Sequence, residues 1–455
     1  MKRQAPWVLT AILLLVIPAC GNTEESAFLN KKTPLKAEEH ISIEKTFYNE
    51  NATCLENADS TKTLYLYSSP VYYQDDRKKE HVLIDNSLND NEDNDAFFNT
   101  FNDIQCFLPT SLSSKKPILL KKSYSEMKIY LQTKESKKGK KVSATNLYGF
   151  TGEGIHYKDI CGGNAVTILP DDFGVNMEFL VPEYETTVLT YQIEMDNVEL
   201  DTNCSDYVLF RDVKEKEVKG ILYLPVVMDC NGTIIDTIDN NACSMTVRKT
   251  APGIFSVDIV LKKNFIETAC YPLKVNGSIH LYKPKQPDSA IYSFSSEGYY
   301  LNDKVLLGNS KIKGEGQLLV RFEALDLLNL NAEDILSAEY ILSEISNGEK
   351  EATIAMYPVL SEWCSLNTRW HNKPAYDIQN AYRITVDKSG DYSFDITGPL
   401  KNWIINKGKE TDYIIRHGFV LVNETPDVPK LFATGDNGMF TSYLKIKLRK
   451  VEETN

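Results

Sequence analysis

Helical periodicity is almost missing from this chain. Apart from one stretch near the C-terminus, no window repeats its apolar residues at three- and four-residue spacing. Long hydrophobic runs are missing too: the longest, Val8 to Ile17, holds about ten residues, too few to cross about 30 Å of hydrocarbon as a helix. Basic charge is in deficit, with 50 Lys plus Arg against 63 Asp plus Glu and a formal net charge of −13. Nothing offers a stripe for phosphates, which excludes nucleic acid as a partner. The one basic run, Lys134 to Lys141 ("KESKKGKK"), contains Gly139 and a glutamate and reads as a solvated hairpin tip. The six histidines (His40, His81, His156, His280, His371 and His417) are scattered and no cysteines are spaced C-x-x-C, so no zinc site is predicted. A G-x-S-x-G elbow, an H-E-x-x-H helix, a P-loop and a dinucleotide fingerprint are all absent. Carboxylates are too numerous for any two to be singled out as a glycosidase pair.

What is present begins with a leader. Lys2 and Arg3 form a positive segment ahead of the apolar run, which suits a secretory h-region. The run closes on Ile17-Pro18-Ala19-Cys20. This stretch resembles a bacterial lipobox, which implies cleavage after residue 19 and lipid attachment to the Cys20 sulfur. The expected result is an exported protein held to a bacterial membrane by acyl chains, at about 0.8 kcal/mol for each buried CH₂, and facing the cell surface or periplasm. Residues 20–60 are polar ("KKTPLKAEEH", "NENATCLENADS") and read as a flexible tether.

Strand signals dominate the rest. Short runs rich in Tyr, Val, Ile, Phe and Thr, such as "TLYLYSSPVYY", "MKIYLQT", "VNMEFLV" and "IFSVDIVL", are separated by Gly, Pro, Asn and Asp. Many alternate, as in Phe255-Ser256-Val257-Asp258-Ile259, which predicts one buried and one wet face. The length beyond the tether exceeds a single typical core, and a proline-bearing junction near Asp288 ("YKPKQPDS") marks a boundary. The expected fold is therefore all-β, with a strand-rich region over 61–287 and a second over 288–452. The exceptional helix lies in "FDITGPLKNWIINKG": Thr397 suits the cap, Pro399 the first turn, Leu400, Trp403 and Ile404 the apolar face, and Gly408 the end. Eight cysteines follow Cys20, an even count that suits disulfides in an exported chain. Cys230 and Cys243 flank a predicted hairpin and are the one local pair expected to bond.

The C-terminal region carries a resemblance. "LLVRFEALDL", "ILSAEYILSE", "ATIAMYPVLSEWCSLNTRWHNKPAY", "YSFDITGPLKNWI", "RHGFVLV" and "PKLFATGDNGMFTSYLKIKL" follow one another over about residues 288–450. In that order they resemble a DNRLRE domain, a secreted β-sandwich classed among carbohydrate-binding modules. Upstream, "VLIDNSLND", "IHYKDICGGNAVTIL" and "YPLKVNGSI" are similar to the β-rich segment beside such domains in wall-associated and Rhs-type proteins. The YD repeats and toxin region are absent here. The resemblance implies tandem β-sandwich domains, the second jelly-roll-like with one short helix. It also implies a non-enzymatic exported protein with polysaccharide or cell-envelope glycan as partner; a scaffold role with protein partners is the alternative, and a polysaccharide-degrading enzyme the less favoured one. Such modules often carry a structural calcium, whose ligands the sequence does not assign; no other cofactor is expected.

The stretch "SEWCSLNTRWHNKPAYD" concentrates Trp363 and Trp370, two of only four tryptophans. A sugar platform needs flat rings facing water, whereas a sandwich core needs the same rings facing inward. Packing is the favoured reading for rings belonging to the pattern of the fold. Trp363, Trp370, His371, Tyr376 and Tyr413 are the expected ligand contacts if the face binds glycan. His371 has no identifiable nucleophile or orienting partner, so no catalytic residue is predicted. "NDNEDND" (Asn89 to Asp95) imitates a calcium loop but lacks the central glycine and distal glutamate, Phe101 standing in its place. Asp75-Asp76 and Asp171-Asp172 carry no stronger signal.

Overall fold

The computed structural model describes residues 40–449, less 50, 76–79, 92–94, 124, 147–150, 161–162, 183–187, 205, 232–233, 236–241, 282–287, 297–298, 300, 323–329, 347–348 and 408–416. The leader, Cys20 and Tyr413 lie outside the described residues. The fold is all-β, built of antiparallel sheets. Among the described residues helix is confined to Lys263–Ile266, a 3₁₀ turn at Trp370–Asn372, and Thr397–Asn406.

The first sandwich faces an eight-stranded sheet against a ten-stranded one. The eight-stranded sheet runs Cys243–Ala251, Ile254–Leu261, Val188–Glu194, Ser125–Leu131, Ile118–Lys122, Gln105–Pro109, Ala96–Phe101 and Asp85–Asn91. The expected alternation is realised in Ile254–Leu261, where Phe255, Val257, Ile259 and Leu261 are buried and the residues between them are partly exposed. These side chains meet Val175, Met177, Phe179, Val275 and Ile279 of the opposite sheet in one continuous core. The driving term is apolar area removed from water, at about 25 cal/mol per Å².

The second sandwich corrects the expected boundaries. Its sheet order begins His40–Asn49, Ala52–Asn57, Lys62–Tyr67 and then joins Tyr443–Leu448, the last strand among the described residues, and Ile335–Glu344. Leu64 lies opposite Ile446 and Leu66 opposite Leu444, and Ala52, Cys54, Leu64 and Leu66 all enter the second core. His40–Asn49 and Ala52–Asn57 are therefore strand rather than tether, and Lys62–Tyr67 belongs to the second unit, not the first. The physical reason is scale. "ATCLEN" is a six-residue strand with apolar side chains on both faces, flanked by Asn and Asp whose polarity masks it in a longer window. The chain begins, as described, in the second sandwich, leaves it through a strap of residues 68–75 and 80–84 to build the first, and returns at Asp288.

The helix Thr397–Asn406 forms where expected and buries Pro399, Leu400 and Trp403. Its cap differs. Ile396 occupies the cap position without a side-chain bond, while the Thr397 hydroxyl accepts from the Ala338 amide at 2.9 Å and so ties the helix to Ile335–Glu344.

The predicted Cys230–Cys243 bridge is also corrected, because Cys230 bonds Cys270, with Cα atoms 5.3 Å apart. Val226–Met228 pairs with Leu273–His280, which carries Cys230 alongside Cys270; the Cys230 amide donates to the Cys270 carbonyl at 3.1 Å. Cys243 opens a strand of the other sheet, opposite Leu261, and is buried in the core with its Sγ 3.8 Å from the Pro225 carbonyl oxygen.

Where the sandwiches meet, Tyr207, Leu209, Ile221 and Tyr223 on the ten-stranded sheet pack against Leu301 of the second unit. A buried ion pair crosses the same boundary: Lys313 donates to Asp206, with its ammonium 4.6 and 4.2 Å from the Tyr292 and Tyr299 ring centroids. Asn302 Nδ2 completes the Asp206 carboxylate at 2.8 Å. Such a pair adds little net stability against its desolvation cost, but losing one partner is severe, so it fixes the docking register.

Candidate functional site

The tryptophan-bearing loop folds back onto the strand that precedes it. After Ala352–Pro358, Leu360 donates to the Ala375 carbonyl at 2.8 Å and Asp377 to the Pro358 carbonyl at 2.8 Å, while Val359 takes the Gly418 carbonyl at 3.0 Å. Within the loop, Asn372 Oδ1 accepts from the Arg369 amide at 2.6 Å and Asn372 Nδ2 donates to the Asn367 carbonyl at 3.0 Å. Several of the loop's backbone amides are thus hydrogen-bonded within it or to the preceding strand, and its side chains pack against the strands Gly314–Val320, Phe419–Asn423 and Ala352–Pro358.

The five expected contacts separate. Trp363 is only 8% exposed: its indole packs with Ile291, Leu319, Ala355 and Val420, and its Nε1 donates to the His417 carbonyl at 2.7 Å. It is a packing residue, not part of an exposed wall. Trp370 and Tyr376 are half-buried at the margin of the same cluster. Between them stands Lys373, whose ammonium sits 3.4 Å from the Trp370 ring centroid and 5.8 Å from that of Tyr376 while donating to Gln317 Oε1 at 2.9 Å. Desolvation holds this ammonium below the usual lysine range. Tyr376 lies 5.4 Å from Tyr357, whose hydroxyl donates to Glu424. His371 is exposed, and Tyr413 lies outside the described residues. The structure therefore gathers Trp370 and Tyr376 around a lysine and an amide, with the Lys373 ammonium lying over one face of the Trp370 ring.

A second recess, which no single stretch of sequence announces, lies at the junction of the sandwiches. Its volume is about 250 Å³. The strap from the second sandwich brings Tyr72, Tyr73 and Gln74; turns at one end of the first bring Asn102, Asp103, Lys122 and Asp172. An asparagine ladder fixes these groups. Asn86 Nδ2 donates to Asp172 Oδ1 at 2.9 Å, and Asn86 Oδ1 accepts from Asn102 and Asn99 at 2.9 and 3.0 Å. Asn102 Oδ1 in turn accepts the Ile104 amide at 2.9 Å. Lys122 pairs with Asp103 at 2.6 Å, and the Tyr72 hydroxyl shares a hydrogen with Thr53 at 2.8 Å. Behind Asp172, Asp171 accepts the Phe173 and Gly174 amides at 2.9 and 2.7 Å and faces buried His280 at 3.2 Å. Asp171-Asp172 is thus a structural turn at the junction, with one carboxylate directed inward and the other lining the recess. The signal that could have found the recess is the density of asparagine in "NSLNDN" and "NTFNDI"; the contributing segments are too far apart in the chain for any spacing rule to unite them.

Among the described residues, no group of three or more His, Cys, Asp or Glu is placed to hold a metal ion. Asp95, at the end of the calcium-like stretch, pairs with Lys116. No protein-family model matches the chain, and no curated protein matches it.

Proposed function

We propose that this chain is an exported, lipid-anchored, non-catalytic binding protein of a bacterial surface, with polysaccharide or cell-envelope glycan as its ligand. The observation that carries the reading is the pairing of two partly exposed rings, Trp370 and Tyr376, with the polar groups of Lys373 on the same loop and Gln317 on the strand beneath it. Aromatic faces offer large contact area at little side-chain entropy cost, and fixed polar groups at the ring edges supply orientation. The leader ending at Cys20 and the resemblance of residues 288–450 to a carbohydrate-binding sandwich support the same reading. The test is a glycan array probed with the full chain in detergent. Trp370→Ala and Tyr376→Ala should each weaken binding at least tenfold with an unchanged far-ultraviolet spectrum. Absence of binding to every glycan would sink the reading, as would reducing-sugar release by the purified chain. Replacement of Cys20 by Ser should move the protein from the membrane to the aqueous phase on detergent partition.

A scaffold role is the second reading. It is favoured by Leu366 and Ile378, which flank the two rings on the same loop and are 48% and 70% exposed. Retention of a protein partner after both ring substitutions would select it.

A further inference from the structure

We infer that Lys313 and Asp206, which meet across the junction of the two sandwiches, form a modification site where their side chains condense into an amide that ties one sandwich covalently to the other. The inference goes beyond the glycan-binding reading and does not depend on it.

Seclusion is the first argument. The two side chains are 5% and 10% exposed. The Lys313 ammonium is flanked by the rings of Tyr292 and Tyr299, which are themselves buried and meet edge to face at 5.0 Å. In water an ammonium and a carboxylate stay apart as ions because both are well hydrated. Buried, they lose that hydration at a large cost, which a neutral amide does not carry.

Position is the second. Lys313 Nζ bonds both oxygens of the Asp206 carboxylate, so the nitrogen is placed against the carboxyl group as a whole. Both backbones are anchored: the Lys313 amide donates to Ser310 Oγ at 2.9 Å, and the Asp206 carbonyl accepts the Leu224 amide at 2.7 Å. The flanking rings are pinned as well, Tyr292 by the Leu306 amide at 3.1 Å and Tyr299 by Ser295 Oγ at 2.8 Å. Two groups held together in this way react as if at an effective concentration of about 10⁵–10⁸ M when well oriented. Assistance to the electrophile is the third. Asn302 Nδ2 donates to Asp206 Oδ2 at 2.8 Å, the oxygen on which negative charge gathers as nitrogen adds to the carbon.

The step balances within the pair. One Nζ proton passes to Oδ1, leaving an amine and a carboxylic acid. Nζ then bonds Cγ, a second Nζ proton moves to Oδ1, the Cγ–Oδ1 bond breaks and water departs. The nitrogen keeps one hydrogen, and Oδ2 becomes the amide carbonyl that Asn302 already holds. No oxidant, reductant or activated co-reactant is required.

The test is a tryptic map by mass spectrometry of the full chain, purified in detergent, reduced and denatured. Trypsin does not cut after an acylated lysine. The map should therefore contain a branched peptide joining residues 312–321 to the segment that holds Asp206, lighter than the two together by one water and intact under conditions that part any ion pair. Residues 314–321 appear as a linear peptide only from chains whose Lys313 is free, and the branched form should outweigh it. Lys313→Arg keeps the positive charge without the primary amine and should lose the branched peptide. Two results would overturn the inference: an excess of the linear peptide even after prolonged incubation of the native protein, or a branched peptide that persists in Lys313→Arg.

Discussion

The two sandwiches close their cores by different means. The first is continuous in sequence, contains no tryptophan, and carries the Cys230–Cys270 bridge. The second is assembled from strands within residues 40–67 and 288–448 and holds Trp363, Trp370 and Trp403. A unit built from one run of chain has a contiguous loop that a covalent link can shorten. A unit whose neighbouring strands come from opposite ends of the described sequence has no such loop, and strand pairing such as Lys62–Tyr67 with Tyr443–Leu448 holds together segments that no local turn connects. The difference also supplies a reporter, because tryptophan fluorescence beyond the leader reads the second sandwich alone.

The sharpest way to break this comparison is Trp403→Ala. The indole is buried among Phe394, Ile396 and Leu400, and its loss should cost about 3–5 kcal/mol. In urea, the fluorescence transition should move to lower denaturant, while a circular-dichroism component from the first sandwich stays behind. Equal displacement of both would mean that the pair unfolds as one cooperative unit. Next comes Cys270→Ser. Opening a bridge with a sequence separation of 40 should destabilise the first sandwich by about 2–4 kcal/mol, with dithiothreitol reproducing the effect on the native chain. A fluorescence transition that shifts as far as the circular-dichroism one would contradict the assignment of the bridge to one unit.

The junction gives the third test. Asp288, where the chain re-enters the second sandwich, is buried and accepts the Gly435 amide at 2.8 Å. Burial outweighs that bond and raises its pKa from 3.8 to about 6. Between those values the native state keeps a proton that the unfolded chain has released. Stability therefore falls as pH rises through that window and levels off above it. Asp288→Asn should gain on the order of 2–3 kcal/mol at pH 7.5 and nothing below both pKa values, read as the difference in urea midpoints across pH. A gain that persists in strong acid would refute the ionisation argument. The smallest effect belongs to the surface of the second sandwich. Arg383 forks onto Glu424 with two bonds of 2.8 Å, but the guanidinium is exposed to solvent, so Arg383→Ala should shift the urea midpoint least of the four. High salt should erase most of it; a larger, salt-insensitive loss would show that this exposed pair contributes as buried contacts do.

Particular residues show how far the sequence could be read. Phe255 to Ile259 alternate in the text and in the sheet because successive strand side chains point to opposite faces. The Leu400/Trp403 stripe formed its helix, yet Thr397 proved to be a tie to a neighbouring strand instead of a cap. Trp363 could serve as platform or packing from its identity alone; only its position under the loop decides for packing. Asn86, Asn102 and Asp172 gave no local motif because their partners lie in turns far apart in sequence.

By itself, the sequence determined that this protein is a strand-built one, which stretches form strands, and which side of many of them is apolar, since those properties depend on neighbours two residues away. Only the tertiary structure decided that Cys230 meets Cys270, that Lys62–Tyr67 joins the final strand, and that a strap and three turns enclose a recess. Those outcomes depend on which sheet edge meets which, and long-range pairing is settled by the packing of the whole core.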